Sequence, residues 1–165
     1  MALFIIIGVS GSGKSSLAKT MTKNICEADT FPNLYEHGVL VSSKLSAAHQ
    51  SCSNQVEQFM MAGIETIVQA NTNLDVRSIK PYIELAKEYK YKVHLILPKY
   101  DLLHYPLTDM TRPAQIAALV NARSQGDKIV PFPVIQRMIT QYDALYPKLA
   151  KIDESDPGKL LQYFN

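Results

Sequence analysis

The sequence predicts an α/β domain built on a doubly wound parallel sheet with helices on both faces, and three observations predict it. Short apolar runs of strand length alternate along the chain with stretches of helical periodicity. The runs lack the in-out alternation of a half-exposed strand, as strands covered on both faces do. The first of them, Leu3-Phe4-Ile5-Ile6-Ile7, passes through the glycine-rich stretch Gly8-Val9-Ser10-Gly11-Ser12-Gly13-Lys14-Ser15 into a helical segment. At 165 residues the chain is sized for one domain with a full core, and we read residues 1–165 as a single unit.

The elements follow in order. Residues 14–25 read as a helix with Leu17, Ala18, Met21 and Ile25 on its inner face, and residues 27–37, polar and broken by Pro32, as a loop. The run at 38–42 reads as the second strand of the sheet. From Ala48 the apolar residues Cys52, Val56, Phe59 and Met60 recur at helical spacing, and Gly63 is placed to stop the helix. A third strand is expected over 64–70 and a helix over 75–90, with Pro81 near the start of its regular part. A strand over 91–98 precedes a loop over 99–112, and Pro113 opens a helix to about residue 123. A break at 126–133 leads to a helix with Ile135, Met138, Ile139, Tyr142 and Leu145 on one face, and an edge strand is expected over 149–152.

The order strand, glycine-rich loop, helix is that of a P-loop, and with it the fold becomes a P-loop NTPase fold. Glycines let successive backbone N–H groups turn inward, and the positive end of the following helix adds to them, which suits a phosphate. Gly8, Ser10, Gly11, Ser12, Gly13, Lys14, Ser15 and Ser16 are the candidate nucleotide-binding residues. Lys14 is expected to reach the β- and γ-phosphates of ATP, and the Ser15 hydroxyl to meet Mg²⁺.

Composition narrows the rest. The chain is 47% apolar and 19% charged, with net charge +2, which permits a polyanionic substrate without arguing for one. No apolar run reaches the roughly 18 residues of a membrane span. The short apolar start lacks a basic leader, so the cytoplasm is the expected location, with no membrane partner. Cys26 and Cys52, the two cysteines, form no metal-binding or disulfide pattern and read as packing residues.

A second motif is narrower than the loop. Residues 65–74 end in Ala70-Asn71-Thr72-Asn73-Leu74; Arg77 and the helical stretch from Tyr82 follow, and further on come Asn121-Ala122-Arg123, Lys128-Ile129-Val130-Pro131 and Gln136-Arg137-Met138. From residue 3 to about 147 the chain resembles the P-loop polynucleotide kinase family. That resemblance implies transfer of the ATP γ-phosphate to a hydroxyl, such as the 5′ end of DNA or RNA, beneath a helical lid at about 113–133. It implies Arg123 as the lid arginine, a role worth about 10³ to 10⁵ in rate in related NTPases. Arg77 and Arg137 are candidate substrate contacts or, equally, surface ion-pair formers. Asn71 and Asn73 either contact substrate or shape the turn through their own backbone. His49, within a helix, reads as a packed or solvated side chain.

The chain departs from that family at two acidic positions. Ala70 stands where relatives carry an aspartate before the Asn-Thr-Asn turn. The acidic pair that follows the second strand in relatives reads here as Ser42-Ser43-Lys44, if that strand is 38–42. Asp75, Asp101 and Asp109 are possible replacement bases. Two classes of function therefore stand open: a kinase acting on a polynucleotide end or a small hydroxyl compound, and a nucleotide-binding module with a regulatory or docking role. The sequence leaves the oligomeric state open.

Overall fold

A computed structural model describes residues 1–98 and 128–165 of the chain. Its elements are β1 (Ala2–Ile6), α1 (Lys14–Met21), β2 (Ile25–Cys26), β3 (Tyr35–Glu36), β4 (Val39–Leu40), α2 (Leu45–Met61), β5 (Thr66–Gln69), α3 (Val76–Glu88), β6 (Lys92–Ile96), α4 (Phe132–Leu149) and α5 (Pro157–Leu160). Four strands form one parallel sheet in the order β2-β5-β1-β6, with Ala2 opposite Thr66 on one side and Lys92 on the other. The expected α/β P-loop fold is present.

Period-two alternation along the strands divides the core between the two faces. Leu3, Ile5, Ile67 and Val93 are fully buried against Val56 of α2, Ile79 and Ile83 of α3, and Ile135 and Ile139 of α4. On the opposite face Ile6, Val68 and Ala70 pack on Ala18 of α1, joined by half-buried Phe4, Leu17 and Ile25. Each fully buried aliphatic side chain contributes about 1.5 to 3 kcal/mol by leaving water.

Several element boundaries differ from the sequence reading. The first helix ends at Met21, because Thr22 is extended, and Ile25 belongs instead to β2, paired with Val68. The second strand of the sheet is therefore Ile25–Cys26. Val39 and Leu40, expected as a strand buried on both faces, are 61% and 38% exposed and form an antiparallel hairpin with Tyr35 and Glu36. The turn joining them is His37-Gly38, both with positive φ, the backbone that a tight two-residue hairpin requires.

α2 starts at Leu45 and stops where Gly63, at φ 70°, takes the left-handed conformation beyond its end. α3 is regular from Val76, so Pro81 lies inside it rather than near its start. No strand forms at 149–152; Leu149 closes α4. The edge of β6 is met further on, where the Ser155 carbonyl accepts the Val93 N–H at 2.9 Å. α5 packs on α3 and buries Leu160. The loop and lid helix expected between residues 99 and 127, and with them Arg123, Asp101 and Asp109, lie outside the described residues. Among the described residues no helix is long and apolar enough to cross a membrane.

Candidate functional site

The carboxyl edge of the parallel sheet carries the glycine-rich loop, the residues following β2 and the Asn-Thr-Asn turn after β5, which is where open α/β sheets bind ligands. Gly11 and Gly13 take φ of 80° and 84°, so both turns of the loop use backbone that side-chain-bearing residues avoid. α1 starts directly after Gly13, with no side-chain cap and no acidic residue in its first turn. No carboxylate within the helix itself therefore neutralises its first amides and positive dipole end.

Three features of the loop suit a phosphate. Ser12 is 1% exposed, and its Oγ has no hydrogen-bond partner among the described residues. A Cβ on Gly8 would come within 2.8 Å of that Oγ and 3.5 Å of the Lys14 side chain, so Gly8 leaves space that any other residue would fill. Lys14 is buried, with its Nζ donating to the Val9 carbonyl at 3.0 Å, which folds the ammonium over the loop. Ser10, Gly11 and Gly13 are half-buried around it, while Ser15 and Ser16 face outward on the first turn of α1.

Acidic side chains do follow the observed second strand of the sheet. Glu27 directly follows β2, and its Oε1 accepts the Ser15 hydroxyl at 2.6 Å. Asp29 sits two residues on. Its carboxylate accepts the Tyr35 hydroxyl at 3.0 Å and lies 3.4 Å from the Lys128 ammonium, which also stacks over the Tyr35 ring at 5.2 Å. The expectation that Ser42-Ser43-Lys44 occupies this place is thus corrected. Those residues form a 3-10 turn entering α2, and Lys44 is held by the Asn33 carbonyl and Glu36. The missed signal is the short Ile25-Cys26 pair before Glu27 and Asp29, of which the helical reading over 14–25 takes in Ile25.

Asn71 and Asn73 are 9% and 3% exposed and are committed to the protein. Asn73 Nδ2 donates to the Ile6 carbonyl at 2.8 Å and to Gln69 Oε1 at 2.6 Å, while its Oδ1 accepts from Gln69 Nε2. Asn71 Oδ1 accepts the Ala28 N–H at 2.7 Å, and its Nδ2 faces Cys52 Sγ at 3.5 Å. The Cys52 thiol is drawn below its ordinary pKa, first by its hydrogen bond with Cys26, whose own thiol is pushed up by the same bond and by burial. The Thr72 carbonyl accepts the Gly8 N–H at 3.0 Å. The turn therefore ties the ends of β1, β2 and β5 together.

Arg77 is outside this cluster of bonds. Its guanidinium is 89% exposed and grips Asp75, the cap of α3, with Nη2 at 2.6 Å from Oδ2. Asp75 is thereby accounted for as a cap, its carboxyl held below the usual range by the hydrogen bonds from Arg77. Arg137 is on the exposed side of α4. His49 is exposed on α2.

Parts of the sequence are shared with known proteins. Human NEDD4-binding protein 2 is 31% identical over 98 residues, covering 56% of this chain and 6% of that protein. The 2′,3′-cyclic-nucleotide 3′-phosphodiesterases of Mus musculus and Rattus norvegicus are 26% and 25% identical over 99 residues, covering 59% of this chain and 24% of each enzyme. The chain thus spans a small part of the length of these relatives. Residues 3–145 match the AAA domain family (AAA_33), and with its phosphate loop, parallel sheet and flanking helices in place the chain belongs to that P-loop family.

Proposed function

We propose that the protein is an ATP- and Mg²⁺-dependent phosphotransferase of the polynucleotide-kinase type, moving the γ-phosphate to a hydroxyl at a nucleic acid end. The observation that carries this reading is the presence, at the same carboxyl edge of the sheet as the phosphate loop, of a carboxylate, Asp29, just beyond β2, which lies two strands from β1. Asp29 is 46% exposed, so an acceptor hydroxyl can reach it. In this role it takes the hydroxyl proton as the oxygen attacks, while Lys14 and the loop amides hold the phosphates. A divalent cation, when bound, would neutralise phosphate charge beside the Ser15 hydroxyl. Arg123 is the proposed lid arginine.

A transfer assay with radiolabelled ATP, Mg²⁺ and 5′-hydroxyl DNA or RNA tests the reading, with nucleotides and small hydroxyl compounds in the acceptor panel. Transfer should fall about 10²- to 10⁴-fold in Asp29→Asn, the range for removal of a general base, with nucleotide affinity retained. Lys14→Ala should instead weaken nucleotide binding itself. The buried methyl of Ala70 at the end of β5 favours a second reading, a nucleotide-binding module without turnover. Lys14-dependent ATP binding without transfer to any acceptor would select it.

A further inference from the structure

We propose that Glu27 is a metal-positioning residue. It holds the Ser15 hydroxyl so that the oxygen lone pairs face a divalent cation, and so supplies from β2 the negative charge that Ala70 does not supply from β5. The inference rests on the phosphate-loop reading and assigns within it a role that the loop motif does not contain.

The argument starts from the hydroxyl. A serine hydroxyl has one hydrogen to donate and two lone pairs to offer. In Ser15 the hydrogen is directed to Glu27 Oε1 at 2.6 Å, a charge-assisted bond at the short end of the range. The lone pairs are then oriented away from Glu27, and the oxygen is made more basic by the carboxylate behind it. Outer-sphere carboxylates act on metal ligands in this way, fixing orientation and raising the ligand's donor strength. Among the described residues there is no cluster of three or more His, Cys, Asp or Glu side chains that could cage a metal. A cation here would complete its shell with phosphate oxygens and water, as Mg²⁺ does, which makes the orientation of a single protein oxygen count for more.

The register explains why position 27 can do what position 70 does not. The Ala70 N–H bonds the Cys26 carbonyl at 3.0 Å, so the ends of β5 and β2 lie side by side. Ile6, Val68 and Ala70 face α1, where Ala18 lies one turn beyond Ser15. Along β2, Cys26 points to the opposite face, into the cluster with Val56, while Ile25 packs on the α1 side. Alternation returns residue 27 to the α1 side, which the Ser15 contact confirms. A carboxylate at either position would thus approach the first turn of α1 from the sheet, one strand apart. With a methyl at 70, the longer glutamate on the neighbouring strand reaches Ser15.

The test measures metal dependence apart from turnover. Affinity for a fluorescent non-hydrolysable ATP analogue is measured in EDTA and in Mg²⁺, and Mn²⁺ bound in the ternary complex is followed by electron paramagnetic resonance. Glu27→Gln should lose about 10- to 100-fold of the metal-dependent affinity, the range for removal of an outer-sphere partner. Its affinity in EDTA should be unchanged or higher, because a negative charge has been removed. Adding Ala70→Asp to Glu27→Gln should return part of the metal dependence and sharpen the Mn²⁺ signal. In a Ser15→Ala background, Glu27→Gln should add nothing.

An unchanged metal dependence in Glu27→Gln, or an equal loss with and without metal, overturns the proposal while leaving the phosphate loop intact. If the Gln variant melts early, Glu27→Ala is read by the same two criteria. A wild-type protein that binds the analogue in neither condition overturns the phosphate-loop reading and this inference with it.

Discussion

Asn73 shows at the level of one side chain how this site is held. Its backbone has φ 53°, a left-handed conformation, while its amide bonds the end of β1 and Gln69. Asn73→Ala takes from the buried Ile6 carbonyl its bond to this side chain, at about 1 to 3 kcal/mol, removes two of the bonds of the Gln69 amide, and strains the backbone by a further ~1 to 2 kcal/mol. Asn73→Gly loses the same bonds but not the conformation. Urea unfolding should therefore rank wild type above Gly and Gly above Ala. The sequence made the phosphate loop legible residue by residue, since Gly11, Gly13 and Lys14 announce their roles by type and spacing. Asn73 was readable only as two alternatives, because an asparagine suits a turn and a ligand equally. Glu27 and Asp29 were missed for a different reason. They stand beside a two-residue strand, too short for any periodicity to mark, and the neighbouring Ile25 continues the helical spacing of Leu17 and Met21.

Among the elements, α3 carries the clearest local logic. Asp75 accepts the Arg77 N–H at 2.9 Å as cap, and the helix then buries Ile79, Ile83 and Ala86 on one face. Asp75→Ala should cost about 0.5 to 2 kcal/mol in chemical denaturation, the range for loss of an Asp cap. The sign of its pH dependence follows from the depressed carboxyl. The folded value lies below the model-compound 3.8, so the contribution is present above pH 3.8 and is lost as pH falls through the folded value. The difference between wild type and Asp75→Ala should then shrink in acid below that point. Long elements of this kind were legible because their apolar faces repeat several times. The hairpin β3-β4 was not. Val39 and Leu40 read as buried, yet only the two-residue turn at His37-Gly38 distinguishes a surface hairpin from a sheet strand. The same holds at 149–152, where apolar residues close a helix and the cover for β6 comes from the backbone of Ser155, which no side-chain pattern encodes.

In the molecule as a whole, chain from both sides of residues 99–127 is drawn into one core. Tyr142 of α4 donates its hydroxyl to the Pro98 carbonyl, and Ile135 and Ile139 pack with Ile79 and Ile83 on a single face of the sheet. Ile135→Ala should therefore destabilise the entire domain by about 2 to 5 kcal/mol in one cooperative transition. A separate early transition for α4 would show that it is not part of that core. The Asn-Thr-Asn turn has a further consequence, in the rates at which backbone hydrogens trade with solvent. Phosphate-binding loops belong to the segments expected to open most easily, and their amides normally exchange early. Here the Gly8 amide is held by Thr72 and the Ala28 amide by Asn71, both within a turn that is itself bolted to β1. Neither amide lies in a strand, yet both can open only when three strand ends separate. In deuterium exchange followed by NMR, Gly8 and Ala28 should be protected to nearly the extent of Ile5 and Val68, and Asn73→Gly should release both by the same factor.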